Sequence, residues 1–353
     1  EAMGEMETFA ARHNVSDPLL WEERGVLMPF VSVVPNLFDV PEIRADYRYT
    51  MCDFEDDDFS AMLRRSGFRQ ILAKDTFVHH FGGVTLNDVR SKQGNYKSLV
   101  SMRPVFREKW KVDPWESRGH LSFLEHFLKE QGIRDSHVHV LMIEPMFGEG
   151  LLAVRNYFRK LRQRVVVDAV VEDVLGVGGH RVRYLSDVRS MADNIMHMDT
   201  LDHLTEEIHD LYDIIIIAAP LNNLPITCIL PFFRSCHEHL RPNGFVYALL
   251  RNYNSFAHTM ESLPNEVPFL TYDIIMPLDG RRTYPVARLI AALRAQFKET
   301  AVQIGYVTGA QHFGAMESVA QSIYTALGTP ENDRPCLRQF LSGDSVVFRI
   351  RKV

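Results

Sequence analysis

The chain has 353 residues, 46% of them apolar and 24% charged, with a formal net charge of −6 and a pI near 6.2. That balance is ordinary for a folded globular protein of about two domains, and it lacks the basic face of a nucleic-acid scaffold. No apolar run approaches the roughly 20 residues that span a bilayer, and Cys52, Cys228, Cys236 and Cys336 show no C-x-x-C spacing, so a reduced, cytoplasmic compartment is expected.

Residues 5–13 read as a helix with Met6, Phe9 and Ala10 on one face. The stretch SDPLLWEERG reads as a turn; its Trp21 could stack on a sugar or serve as a packing anchor. VSVVP, residues 31–35, reads as a strand leading toward an acidic helix. That helix begins at Glu55, Asp56, Asp57 and Asp58. It places Phe59, Met62 and Leu63 at i, i+3, i+4 and stops at Gly67. Carboxylates in a first helical turn offset the macrodipole, but four in succession repel one another unless a cation or a sugar hydroxyl takes part. A strand over 68–74 then leads to His79 and His80, followed by Gly82 and Gly83. Paired histidines within reach of an acidic helix start, beside glycines that give close backbone access, suit a hard-metal or anion site.

The run FEDDDFSAMLRRSGFR followed by DTFVHHFGG resembles the acceptor-side half of family-2 glycosyltransferases, inverting GT-A enzymes that use nucleotide sugars. NYKSLVSMRPVFREKW, residues 95–110, resembles the helix that closes such domains. The resemblance implies Asp56 as general base with Glu55 beside it, and Asp57, Asp58 and Trp21 toward an acceptor. It also implies a divalent metal, Mg or Mn, at His79 or His80, between which the sequence does not choose. The opening strand and acidic D-x-D strand end of that family do not precede Tyr47, so the chain is expected to start inside such a domain.

A polar, proline-containing stretch at 111–120 marks a domain boundary, and 121–132 reads as a linking helix. The expected organisation is 1–115, a linker at 116–134, and a second domain over 135–353. In that second domain, strands at 138–143, 165–171, 182–185, 212–219, 245–250 and 346–353 alternate with helices at 151–164, 229–240 and 285–297, and Pro242-Asn243-Gly244 forms a turn. Such alternation predicts a doubly wound, mostly parallel α/β sheet.

VHVLMIEPMFGEG, YDIIIIAAPLNNL and HEHLRPNGFVYALLRN resemble the first, fourth and fifth strands of class I S-adenosylmethionine-dependent methyltransferases. The fold class expected for the whole is therefore α/β: a partial GT-A lobe followed by a Rossmann-like methyltransferase-type domain. The resemblance implies cofactor contacts at Gly148 and Gly150, and at Asp168 or Asp173 for ribose hydroxyls; Asn222 and Asn223 follow the fourth strand. Glu144, Pro145, Met146 and Phe147 occupy a loop where the family needs small residues, so weak or no S-adenosylmethionine binding is expected. The leading functional expectation is part of a glycosyltransferase joining a nucleotide-sugar donor to a glycan or protein acceptor, within a bacterial surface-glycan assembly. Two alternatives are an active methyltransferase acting on a sugar and a non-catalytic interaction module.

Overall fold

The computed structural model describes residues 2–27, 31–36, 40, 42–49, 53–80, 97–112, 114, 124–131, 133, 136–172, 181–198, 208–218, 221, 226–251, 286–298, 301–307, 324–325, 330–331 and 345–353. They form two compact units that do not follow chain order. One comprises Glu1–His137, Pro145–Val167 and Gly179–Ile195; the other comprises Val138–Glu144, Asp168–Gly178 and Met196–Val353.

The first unit begins with helix α1 (Ala2–His13) and the short strand β1 (Trp21–Arg24), followed by α2 (Glu55–Arg65) and β2 (Gln70–Ala73). Helices α3 (Lys97–Trp110) and α4 (Leu124–Gln131) come next; α5 (Glu149–Lys160) and α6 (Arg181–Val188) join from later in the chain. In α2, acidic residues fill the first turn and Arg64 and Arg65 the last, so both ends of the dipole are complemented. Gly67, at φ 85°, stops it: the Gly67 N–H donates to Arg64 O and the Phe68 N–H to Leu63 O, the paired bonds of a Schellman cap. The helix is buried on two sides. Met62 and Leu63 pack with Ile43, while Ala61 packs with Phe54, Met102, Phe106, Val112 and Phe147.

β1 and β2 pair antiparallel from Trp21↔Ala73 to Arg24↔Gln70. The outer edge of β1 is closed by Asn156 of α5, which accepts from the Glu23 N–H at 3.0 Å and donates to Glu23 O at 2.8 Å. Glu22 of β1 is buried, and burial by itself would raise its carboxyl. Lys160, Lys74 and Arg24 outweigh that and hold it down to about 2.

The GT-A lobe expected over 1–115 is not seen. Among the described residues that region holds helices and one two-stranded antiparallel sheet. Residues 31–35 form no strand either. Val31, Val33 and Val34 are exposed and find no partner strand among the described residues. Most of the expected boundary at 111–120 lies outside the described residues.

The seven-stranded sheet has the order β5 (Asn194–Met198), β4 (Arg164–Glu172), β3 (His137–Ile143), β6 (Tyr212–Ile217), β7 (Leu240–Arg251), β9 (Ser345–Arg351), β8 (Val302–Val307). β3, β6 and β7 are parallel, and β9 runs antiparallel between β7 and β8. The order is that of a doubly wound sheet with the last strand inserted before the sixth, consistent with a Rossmann-like methyltransferase fold. Ile214, Ile215, Ile216 and Ile217 are all buried, as a central parallel strand requires. Helix α7 (Ile226–Glu238) adds Ile229, Phe232, Phe233 and Cys236 to the second unit's core, and α8 (Val286–Phe297) adds Val286, Leu289 and Leu293.

Three local expectations are corrected. Residues 182–185 belong to α6, because Val182, Leu185 and Val188 recur at helical rather than strand spacing. Pro242-Asn243-Gly244 lies inside β7, where the register against β6 shifts between Tyr212 and Ile214. Asn243 takes φ 66° there, and a Cβ on Gly244 would come within 2.9 Å of Arg241 O and Asp213 O. The strands β1, β5 and β8 were not expected at all.

The first unit is tied together by a buried ion pair. Arg64 Nε donates to Asp187 Oδ1 at 2.9 Å, Arg65 Nη2 donates to Asp187 Oδ2 at 2.9 Å, and Asp187 has no exposure. Removing the carboxylate leaves a buried guanidinium unpaired, so D187A should lower unfolding stability by about 3–5 kcal/mol, measured by urea titration at pH 7. Acidification gives a second test. The stability due to Glu22 is present above its ordinary carboxylate range and is lost as pH falls toward 2, so the gap between wild type and E22Q should close over that window.

Candidate functional site

Two places could carry chemistry, the acidic start of α2 and the end of β3 with the loop that follows. At α2, Phe54 is the N-cap in a left-handed conformation, φ 70°, and provides no side-chain cap. Asp58 is fully engaged: Lys109 Nζ lies 2.8 Å from Oδ2, and Trp110 Nε1 and Tyr49 OH donate to Oδ1 at 2.6 and 3.3 Å. Lys109 also reaches Asp46 at 3.2 Å. Asp57 is buried, Glu55 is exposed, and Asp56 is half-buried. Burial, with Glu55 and Asp57 adding repulsion, pushes the Asp56 carboxyl up to about 6, so this side chain can hold or release a proton near neutral pH.

His79 and His80 are exposed. Among the described residues no three histidine, cysteine, aspartate or glutamate side chains converge to hold a metal ion, so the expected divalent metal is not supported. Trp21 is exposed and donates from Nε1 to Asp75 Oδ2 at 2.8 Å.

At the carboxyl end of β3, Ile143 O accepts the Ala218 N–H at 2.9 Å, which continues the β3–β6 pairing past the strand ends. The chain order reverses between these strands: β4 and β5 extend the sheet on one side, β6 and β7 on the other. Ligands of open α/β sheets bind outside the carboxyl ends at such a switch point. Glu144 stands at this strand end with its N–H on Val170 O at 2.9 Å. The backbone turns left-handed at Glu144, Met146 and Gly148, with φ 54°, 51° and 85°. Alternating left-handed residues bring backbone N–H groups to one side of a loop, and Gly148 is the N-cap of α5, whose dipole favours an anion.

Phe147 and Met146 pack into the apolar cluster formed by Phe54, Ala61, Met102, Phe106 and Val112. The Arg64 guanidinium lies 5.5 Å from the Phe147 ring centroid. Packing thus accounts for the bulk that the sequence set against a cofactor. Gly148 takes a left-handed φ of 85°, which strains any side chain, and a Cβ there would also press on the Met191 sulfur; Gly150 is buried in the first turn of α5.

Asp168 sits in mid-strand, four residues before the end of β4, about 13 Å along the chain from the edge where ligands bind. It is buried and accepts from Tyr212 OH at 3.2 Å, with His139 Nε2 at 2.8 Å. Burial and the Asp168 charge push the Tyr212 hydroxyl well above its usual range. Asp168 therefore holds β4 to its neighbours in the second unit. Asp173, Asn222 and Asn223 lie outside the described residues. Sequence reasoning passed over Glu149, Gly25, Arg64 and Asp187, which lie in one contact network beside the start of α5; an acidic residue between two glycines at a helix start was the available signal.

No protein-family model matches the chain, and no curated protein sequence matches it. Among solved structures it is similar to a SAM-dependent methyltransferase from Archaeoglobus fulgidus, at 14% identity and TM-score 0.39, covering 70% of this chain and 98% of that one. It is also similar to the plantazolicin methyltransferase BamL, at 14% identity and TM-score 0.40, covering 65% of this chain and 83% of that one. An O-methyltransferase from Bacillus cereus in complex with SAH gives 13% identity and TM-score 0.37, covering 76% of this chain and 97% of that one. All three are described as methyltransferases. The glycosyltransferase reading is corrected in the first unit: Asp58, expected to face an acceptor, is spent on Lys109, Trp110 and Tyr49, and among the described residues no group of side chains is placed to hold a metal.

The state of Asp56 can be read directly. A carboxyl raised in the folded state stabilises below its unfolded pKa and loses that contribution as pH rises through the folded value. D56N should match wild type below about pH 4 and exceed it in stability above pH 6. Thermal melts across pH 3–8 would show this crossing, and a carboxyl carbon NMR titration should place the Asp56 midpoint near 6.

Proposed function

We propose that this protein is a class I S-adenosylmethionine-dependent methyltransferase. The observation that carries the reading is the sheet order, with its switch point between β3 and β6 and an acidic residue, Glu144, ending β3. The left-handed turns at Glu144, Met146 and Gly148 add a tight backbone approach, and α5 adds a helix N-terminus. The residues present suit the amino-acid end of the cofactor: the loop at 146–150 offers backbone N–H groups for its carboxylate, and Glu144 a carboxylate for its amino group.

S-adenosylmethionine, when bound, supplies a methyl group activated by a positively charged sulfur. The protein's own contribution is binding and orientation. Backbone N–H groups at a helix start favour a carboxylate without moving a proton, and a carboxylate at the strand end favours an ammonium. Packing of Phe147 and Met146 holds the loop backbone in place.

S-adenosylhomocysteine should bind the full chain with a micromolar dissociation constant by titration calorimetry. Glu144→Gln should weaken it about tenfold, the effect of losing one charge-assisted hydrogen bond. Absence of binding at millimolar ligand would defeat the reading.

A further inference from the structure

We infer that Glu149 is a positioning residue that latches residues 25–27 onto the start of α5, and so fixes the loop at 145–150 from which that helix begins. The inference rests on the proposed cofactor role of that loop. Glu149 is the first residue of α5, and its Oε1 accepts the Val26 N–H at 2.9 Å. A Cβ on Gly25 would lie 2.6 Å from that oxygen and 3.1 Å from Glu149 Cδ, so the carboxylate occupies the place of a side chain at 25.

The same three residues are gripped from their other side. Gly25 O accepts from Arg64 Nη1 and from Gln70 Nε2, the latter at 2.9 Å. The Leu27 N–H donates to Ser60 Oγ at 3.1 Å, and Ser60 Oγ donates to Leu27 O at 3.3 Å. Residues 25–27 therefore lie between α2 and α5. Arg64 also pairs with Asp187 of α6 and stacks on Phe147 within the loop itself. Burial raises the Glu149 carboxyl, and Arg64, the Val26 N–H, Arg24 and the Gly25 N–H oppose that rise. A carboxylate kept in such a place, directly after the left-handed turn at Gly148, does more than cap a helix. It makes the loop's position depend on the first segment of the chain.

The test compares wild type with E149Q, E149A and G25A in the full chain. Hydrogen–deuterium exchange is followed over 20–30 and 145–152, alongside calorimetric titration with S-adenosylhomocysteine. An amide oxygen still accepts the Val26 N–H, so E149Q should keep protection in both segments. E149A removes the acceptor and G25A displaces it. Both should raise exchange about tenfold or more in both segments, and weaken S-adenosylhomocysteine by a similar factor. Unchanged exchange over 145–152 in E149A and G25A would overturn the latch whatever happens to affinity. A wild-type chain that binds no S-adenosylhomocysteine would overturn the methyltransferase reading, and the exchange comparison would still decide the latch.

Discussion

The buried charge at Arg64 is the constraint around which the first unit is organised. A guanidinium taken out of water carries a penalty of several kcal/mol that only close, well-directed partners offset. Arg64 finds them in three directions: the Asp187 carboxylate, Gly25 O and the face of Phe147. Arg65 shares Asp187 and lies 4.8 Å from the Trp110 ring centroid. Two guanidinium groups against one carboxylate leave an excess positive charge, and Glu149 supplies a second negative group nearby. Four segments distant in sequence, around residues 25, 64, 149 and 187, must therefore come together for any of these charges to be tolerated.

That arrangement gives the large residues after β3 a structural role. Met146 and Phe147 interrupt what would otherwise be a loop of small residues, and in isolation they look like obstacles. The first unit provides an apolar cluster for both. The loop keeps its left-handed turns although Met146 has a side chain, a conformation that costs a non-glycine residue about 1 kcal/mol or more. Burial of the Met146 and Phe147 side chains is of the size needed to offset it. The acidic start of α2 belongs to the same construction. Asp58 anchors α3 through Lys109 and Trp110, and the helix so fixed presents Arg64 at its other end.

Much of the fold was legible in the sequence because it rests on local signals. The apolar runs at Val140–Ile143 and Ile214–Ile217 could only be buried strands, and the acidic first turn and Gly67 bounded α2 within a residue or two. Where the local pattern was short or ambiguous, reading failed. Residues 21–24 and 194–198 are too brief to show a period, and 182–185 contains helical and strand spacings together. VSVVP has strong strand propensity, yet propensity forms no strand without a partner to complete its hydrogen bonds.

The candidate site divides along the same line. The sequence by itself determined the strand ends, the glycines and the acidic residues, because each is written in a few adjacent positions. It also placed Glu144 just after a buried strand, and Gly148 and Gly150 between that strand and a helix expected from 151, which begins at Glu149. Only the tertiary structure decided which carboxylates are spent on structure. Asp168 is taken by Tyr212 and lies beside His139, Asp58 by Lys109 and Trp110, and Asp187 by two arginines, while Asp56 is left raised near neutrality. Apart from Tyr49, nine residues from Asp58, the partners of the three structural carboxylates lie between 29 and 123 residues away along the chain. A carboxylate's role depends on the charge and burial around it in space; Glu55 and Asp57 supply part of the charge at Asp56, but burial and the distant partners are not carried by neighbours in sequence.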